Sequence, residues 1–161
     1  MVTSTRSTHG SPGNTRGNAL VEFALSFGLL LAVFSGVWQF GYTFYIYNGL
    51  VSAVRNGARY GALADYDGGS SNGASYKANV ANMAVYGTAN PASGASPIVP
   101  GLTTSKVSVV PTVDSAGVPS RVTVQITGFT IPDDLSGIFA AFTLNGKPSC
   151  SFEYTGRYTV P

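Results

Sequence analysis

The chain has 161 residues, of which 44% are hydrophobic and only 10% are charged. Soluble domains usually carry about 25% charged residues, so part of this chain is expected to avoid water. The formal net charge is +2, and Arg6 and Arg16 supply the excess, because basic and acidic residues balance from Asn18 onward. This balance excludes a basic nucleic-acid-binding face. The length allows one domain plus an additional element.

Catalytic and metal-binding residue sets are missing from the sequence. Cys150 is the only cysteine and His9 the only histidine, so neither an internal disulfide nor a cysteine-based zinc cluster can form. A Ser-His-Asp triad would need His9, which lies in a polar N-terminal segment. The sequence therefore predicts a protein that is not an enzyme and that uses no metal, no cofactor and no small-molecule substrate.

An uncharged apolar stretch, residues 23–47, follows a polar leader, residues 1–17, that is predicted to be unfolded. A bilayer-spanning helix needs about 20 apolar residues, which this stretch exceeds. Aromatic residues suited to a lipid–water boundary gather at its far end: Trp38, Tyr42, Tyr45 and Tyr47. A buried core helix and a plain signal anchor remain alternatives. A cleaved secretory signal peptide fits less well, because the run is long and no A-x-A site ends it.

Glu22 lies at the start of the apolar stretch and is the fifth residue after Gly17, in the string RGNALVEF. A carboxylate that enters hydrocarbon costs about 2–3 kcal/mol, so it is expected to have a partner. The spacing resembles the prepilin peptidase motif, in which glycine precedes the cut and glutamate is fifth in the mature chain. This resemblance implies cleavage between Gly17 and Asn18, and pairing of Glu22 with the new Asn18 amine of a neighbouring subunit.

Further motifs follow in order through residues 17–62. They are Gly17 and Ala19, Val21-Glu22-Phe23-Ala24, Phe40-Gly41, and Ala53-Val54-Arg55-Asn56-Gly57-Ala58-Arg59-Tyr60. Together they resemble the TadE-like family of Flp/Tad pilus pseudopilins, although Asn18 departs from the family at the first mature position. The resemblance implies three kinds of partner: prepilin peptidase, other pilin or pseudopilin subunits, and the pilus assembly platform. It also implies a single-pass protein of the bacterial inner membrane, with a cytoplasmic N-terminus and an extracytoplasmic C-terminal domain, that is retained there or incorporated into a pilus.

The long helix, predicted over residues 18–64, carries two features for subunit contacts. Small residues recur every four positions and form one stripe suited to close helix packing in lipid: Ala24, Gly28, Ala32 and Gly36. The same spacing continues at Ala53, Gly57 and Gly61. Arg55 and Arg59 lie four apart on one side, where they either meet a neighbouring subunit or solvate the helix face.

Residues 65–161 are predicted to form a small extracytoplasmic α+β domain. Residues 65–75 have the composition of a loop, and residues 76–87 that of a short amphipathic helix stopped by Gly87. Alternating residues predict strands at 106–110, 121–127 and 149–160, with 114–120 as a hairpin connection. Residues 133–142 are predicted as a helical turn or an apolar loop.

The sequence therefore predicts a long transmembrane, pilin-like helix followed by a small antiparallel sheet domain with a short helix. The predicted function is that of a minor pseudopilin, a structural subunit of a Tad/Flp-type IV pilus or related secretion system. The alternative is a signal-anchored extracytoplasmic binding domain that does not assemble. Loss or retention of residues 1–17 distinguishes the two.

Overall fold

The computed structural model describes residues 15–67, 73–115, 117, 119–131 and 141–159. The elements in these ranges are α1 (Thr15–Leu63), β1 (Tyr66–Asp67), α2 (Ala74–Tyr86), a 3-10 turn (Thr104–Lys106), β2 (Val107–Val113), β3 (Pro119–Ile131), β4 (Phe142–Glu153) and β5 (Tyr158–Thr159). The chain divides into two compact units, Met1–Trp38 and Gln39–Pro161, and α1 contributes residues to both. The predicted α+β architecture is confirmed.

Helix α1 begins earlier than the sequence indicated. Its first turn includes Thr15, Arg16 and Gly17, which belong to the predicted leader; the rest of the leader, residues 1–14, lies outside the described residues. Adding a residue to an existing helix needs no new nucleation, so the helical backbone of the apolar segment extends through Gly17. No proline interrupts the chain between Pro12 and Pro91.

The second unit has a core to which α1, α2 and the main sheet all contribute. The buried positions of α1 recur every three or four residues and so line one face of the helix: Ile46, Leu50, Ala53, Val54, Ala58 and Ala62. Burying one Ile or Leu side chain stabilises a fold by about 1.5–3 kcal/mol. This half of α1 is therefore a structural part of the domain and not only a connection to it.

Helix α2 confirms the predicted short helix and its stop. Gly87 adopts φ 73°, and its N–H donates to the carbonyl of Met83 at 3.0 Å. Glycine reaches this left-handed conformation without strain, which is why it ends the helix here. Met83, which shares a helical face with Tyr76 and Val80 by its spacing, is only half-buried. The residues that α2 buries are Tyr76, Val80, Ala81, Ala84 and Val85.

The main sheet has the antiparallel order β2-β3-β4. The strand alternation predicted for the central strand is confirmed, since Val122, Val124 and Ile126 are fully buried. Two register shifts between Gln125 and Phe129 carry β3 past Gly128, which adopts φ 61°. Such bulges bend a strand without ending it, so β3 runs to Ile131.

The predicted bounds of the outer strands were wrong beside two prolines: the strand predicted at 106–110 ended too early, and the one predicted at 149–160 began too late. Pro111 lies inside β2, and Pro148 lies inside β4, which starts at Phe142 and not at Ser149. Proline cannot donate to a strand ladder and is therefore tolerated only on edge strands, at first positions and at bulges. Both β2 and β4 are edges of this sheet, so their prolines do not terminate them.

A second, two-stranded sheet was not predicted. Strand β1 pairs in parallel with β5, Tyr66 with Tyr158 and Asp67 with Thr159. This corrects two predictions: residues 65–75 are not all loop, and the run 149–160 is not one strand, because the chain leaves β4 after Glu153. The predicted helical turn at 133–142 lies largely outside the described residues, and its last residue, Phe142, opens β4.

Candidate assembly helix and processing junction

The predicted cleavage junction lies in the first turns of α1. Gly17 is half-buried, whereas Asn18 and Glu22 are exposed. Residues four apart lie on the same face of a helix, one turn from each other, so Asn18 and Glu22 share one side. Glu22 makes no hydrogen bond or ion pair with any residue that the structure describes. Its carboxylate is thus available to a partner outside the chain.

The helix after this junction exposes apolar side chains on all sides. No charged residue occurs between Glu22 and Arg55. Leu25 is 72% exposed, Val33 62% and Phe40 74%. α1 is the one helix in the described part of the chain that is long and apolar enough to cross a membrane, and its most apolar window is not buried by any other part of the structure.

The aromatic residues at the end of the apolar stretch divide into two groups. Trp38 and Tyr45 are 55% and 71% exposed, as expected for side chains at a lipid boundary. Tyr42 and Tyr47 instead pack against the core of the second unit. The apolar stretch therefore continues into the folded domain. In its last turns Tyr45 is exposed, whereas Tyr42 and Tyr47 contact the core.

The predicted small-residue stripe has no packing partner in the described structure. Ala24, Gly28 and Ala32 are exposed and Gly36 is half-buried. A Cβ added at Gly28 or Gly36 would meet no atom within 4 Å. A small side chain at either glycine would therefore not clash with the rest of the described structure.

The continuation of this spacing has a different role, which sequence reasoning missed. A Cβ at Gly57 would lie 2.9 Å from Cβ of Ala84, and one at Gly61 would lie 3.0 Å from the hydroxyl of Tyr76. Glycine at these positions lets α2 approach α1 closely. Gly57 and Gly61 are thus packing residues of the domain.

Arg55 and Arg59 lie on the solvent side of α1. Both are exposed, and neither forms an ion pair or hydrogen bond with another residue in the described ranges. Their backbone neighbours Val54 and Ala58 are fully buried, so the two guanidinium groups are held on the opposite side from the core. Arg55 and Arg59 lie one helical turn apart in the second unit, whereas Glu22 belongs to the first unit.

A tyrosine cluster closes the C-terminal end of α1 and was also missed. The last carbonyls of a helix have no hydrogen-bond partners within it. Here side chains and loop backbone donate hydrogen bonds to them. Tyr76 donates its hydroxyl proton to the Gly61 carbonyl, and the Thr155 N–H donates to the Ala62 carbonyl at 2.8 Å. The Tyr154 hydroxyl lies 2.8 Å from the Ala64 carbonyl and accepts the Tyr66 N–H at 3.0 Å.

Burial has an electrostatic consequence in this cluster. It raises the pKa of Tyr76 above its ordinary value, with smaller contributions from Tyr154 and Tyr66. Burial likewise raises the pKa of Tyr154. Both phenols are therefore held in the neutral form that can donate a hydrogen bond. No motif in the sequence marks this cluster, because its members come from three distant segments.

The described residues contain no group of three or more His, Cys, Asp and Glu side chains that could hold a metal. Shallow depressions lie on the second unit. One, of about 280 Å³, is lined by Tyr45, Ile46, Asn48, Gly49, Ser52, Ile98, Val99 and Pro100. None of its lining residues is charged.

Comparison with known proteins gives one match. No curated protein and no solved structure matches the chain. Residues 17–59, which contain the junction, the apolar helix, Arg55 and Arg59, match the TadE family, described as TadE-like protein. The N-terminal segment of the chain is therefore similar to the TadE family, which confirms the resemblance predicted from the sequence.

Proposed function

We propose that this protein is a minor pseudopilin, a non-catalytic subunit of a Tad/Flp-type pilus or related secretion system. The observation that carries the proposal is the TadE-like match over residues 17–59, on a helix whose most apolar window is left uncovered by the rest of the described structure. The helix anchors the protein in the bacterial inner membrane, with its N-terminus in the cytoplasm and residues 65–161 outside. Prepilin peptidase, other pilin or pseudopilin subunits and the assembly platform are its partners.

Cleavage between Gly17 and Asn18 is the first step of this function. The junction is helical, and a peptidase needs local access to the backbone of the bond that it cuts. Glycine costs up to ~1 kcal/mol relative to alanine within a helix, which makes this turn easier to unwind. It also presents no side chain to obstruct the approach. Removal of residues 1–17 leaves a new amine on Asn18.

Charge pairing is the second step. Opposite unit charges 4 Å apart attract by about 4 kcal/mol at an effective dielectric constant of 20. Glu22 has no partner in the described structure, so the Asn18 amine of an adjacent subunit can supply one. Pairing also offsets the cost of placing each charge in an apolar bundle. The pair then fixes the axial register between neighbouring helices.

Close helix packing is the third step. Apolar contact gives little drive for association in lipid, where small residues help by letting backbones approach. A Cβ added at Gly28 or Gly36 would meet no atom within 4 Å apart from the backbone of its own helix. The stripe formed by Ala24, Gly28, Ala32 and Gly36 is therefore open to a neighbouring helix, while Arg55 and Arg59 are exposed to acidic groups of the next subunit.

The test scores cleavage and assembly separately. Intact mass of the membrane-extracted protein should show loss of residues 1–17, and Gly17→Val should retain them. Glu22→Gln should be cleaved yet fail to enter pili, because it keeps the shape of glutamate but not its charge. Glu153→Gln changes the only other glutamate, which is exposed on β4, and should behave as the unmodified protein.

Two results would contradict the proposal. An unprocessed chain in the membrane would indicate a simple signal-anchored binding domain. Normal piliation of Glu22→Gln would show that the Glu22 charge does not guide assembly.

A further inference from the structure

The second unit exposes an uncharged apolar surface where α1 meets the loop that follows α2. We define this α1–loop surface by Tyr45, Ile98 and Pro100, which line the shallow depression. Phe40 and Phe44 precede Tyr45 on α1 and stack on each other, with ring centroids 6.4 Å apart. The large side chains are well exposed: Phe40 74%, Phe44 58%, Tyr45 71% and Ile98 51%.

The fold holds the loop part of this surface in place. The Ile98 N–H donates to the Val85 carbonyl at 2.8 Å, and the Leu102 N–H donates to the Val99 carbonyl at 3.1 Å. Val99 and Leu102 are buried in the core. The chain thus anchors the residues around Ile98 while leaving the Ile98 side chain half in solvent. A fixed, exposed apolar patch of this kind marks an interaction site more often than isolated exposed residues do.

The distribution of charge around the α1–loop surface indicates what covers it. No charged residue occurs along α1 between Glu22 and Arg55. None occurs either between Lys77 and Lys106, the part of the chain that contains the loop after α2. Lys106 lines a neighbouring depression with Pro100 and Gly101. Lys106 is basic, and its side-chain amine donates to the Gly128 carbonyl at 2.6 Å. A basic residue at the margin of an apolar surface suits the anionic headgroups of a bilayer.

The α1–loop surface is also continuous with the candidate membrane span. Phe40, Phe44 and Tyr45 belong to the apolar stretch 23–47, yet they lie in the second unit. The hydrocarbon core takes up about 20 helical residues, so the last residues of that stretch lie at the lipid–water boundary. The adjoining loop shares this environment because Val99 packs against α1, where a Cβ at Gly49 would lie 3.1 Å from it.

The geometry points to a second membrane contact, in which the α1–loop surface rests on the headgroup–acyl boundary and inserts Ile98 and Pro100 among the lipids. This contact fixes the domain against the bilayer surface. It rests on the proposed insertion of α1 into a membrane but not on cleavage or on pilus assembly. The loop residues are thus part of the anchor.

Tryptophan quenching by brominated lipids tests this contact. Trp38 is the only tryptophan, so it reports on α1 insertion in the unmodified chain. In a Trp38→Phe background, Ile98→Trp and Pro100→Trp place the reporter on the loop, and Val110→Trp serves as the control. Val110 is 47% exposed and lies on the face of the sheet away from the core. The full chain is reconstituted in phosphatidylcholine–phosphatidylglycerol vesicles with lipids brominated near the headgroup end of the acyl chain.

The expected result is loss of fluorescence for Trp38, Ile98→Trp and Pro100→Trp, with little loss for Val110→Trp. Quenching of Trp38 without quenching of either loop variant would overturn the second contact and leave α1 insertion standing. An unquenched Trp38 would contradict the insertion itself. If the tryptophans at positions 98 and 100 became more protected from quenching as the protein-to-lipid ratio rose, the surface would be assigned to a second copy of the chain. That result would overturn the lipid assignment.

Discussion

Tyr76 illustrates how a single side chain ties α1 to the domain. It is 2% exposed, and its hydroxyl group is bonded to the Gly61 carbonyl near the end of the helix. Its ring also meets that of Tyr66 edge-on, with centroids 5.1 Å apart. One phenol therefore contributes both to the core and to the capping of α1, so its protonation state affects the stability of the whole unit.

We expect the domain to lose stability at alkaline pH through Tyr76. Burial raises the Tyr76 pKa in the folded state, so the unfolded chain ionises first, near pH 10. The stabilising contribution of the neutral Tyr76 is therefore complete below about pH 10. The free energy of unfolding falls as pH rises further, by up to about 1.4 kcal/mol per pH unit for one group. Denaturant titrations of the full chain in detergent micelles at several alkaline pH values measure this slope.

Tyr76→Phe separates the hydrogen bond from the titration. It should lower the free energy of unfolding at neutral pH by roughly 1–3 kcal/mol, because the Gly61 carbonyl loses its partner. It should also flatten the decline above pH 10, because the ionising group has gone. An unchanged alkaline slope in Tyr76→Phe would mean that another group controls the transition.

At the scale of the element, the glycines in the two halves of α1 differ in what surrounds them. Gly57→Ala adds a methyl group 2.9 Å from Cβ of Ala84 and 3.3 Å from the Val80 carbonyl. Alanine gains up to ~1 kcal/mol of helix propensity, but overpacking a core costs about 1–3 kcal/mol. We expect a net loss of stability in the second unit, seen as a lower melting temperature by circular dichroism.

Gly36→Ala is the matched control, because no atom lies within 4 Å of the added methyl group. It should leave melting of the second unit unchanged. If the small-residue stripe packs on a neighbouring helix, the same change should reduce piliation. Equal destabilisation by both variants would refute the division of roles between the halves of α1.

The closure of α1 by the C-terminal segment gives another prediction. Tyr154→Phe keeps the ring beside Tyr66 but removes the hydroxyl that joins the Tyr66 N–H to the Ala64 carbonyl. We expect faster amide hydrogen exchange at residues 60–66, because their polar groups lose a shared partner. Tyr86→Phe, whose hydroxyl has no hydrogen bond among the described residues, should leave exchange there unchanged. Unchanged amide exchange at residues 60–66 in Tyr154→Phe would contradict this prediction. It would show that the hydrogen bond from the Thr155 N–H to the Ala62 carbonyl is enough to protect the helix end.

The success of the sequence prediction also differs from element to element. α1, α2 and the core of β3 were predictable because each has a long apolar period or a marked stop such as Gly87. The lengths of β2 and β4 were not, since Pro111 and Pro148 read as strand breakers until their edge positions are known. β1 and β5 are two residues each and carry no period. The junction residues stay a prediction from the motif, whereas the packing roles of Gly57, Tyr76 and Tyr154 depend on tertiary contacts between distant segments.

At the scale of the whole molecule, α1 is both the candidate membrane span and a wall of the domain core. The division of the chain at Gln39 leaves Ile46, Leu50, Ala53 and Val54 within the second unit. All four are buried in its core. The domain therefore does not begin where the apolar stretch ends, and any soluble fragment has to retain part of that stretch.

Two fragments test this dependence. Residues 39–161 should fold with a cooperative melting transition, because they retain the complete core. Residues 56–161 lose the four core side chains, and removing one buried Leu or Ile side chain alone costs about 2–5 kcal/mol. Total stability is usually 5–15 kcal/mol, so the shorter fragment should show no cooperative transition by circular dichroism and should be rapidly proteolysed. A stably folded 56–161 fragment would mean that the sheet and α2 form the core without α1, and that the membrane helix and the domain are structurally independent.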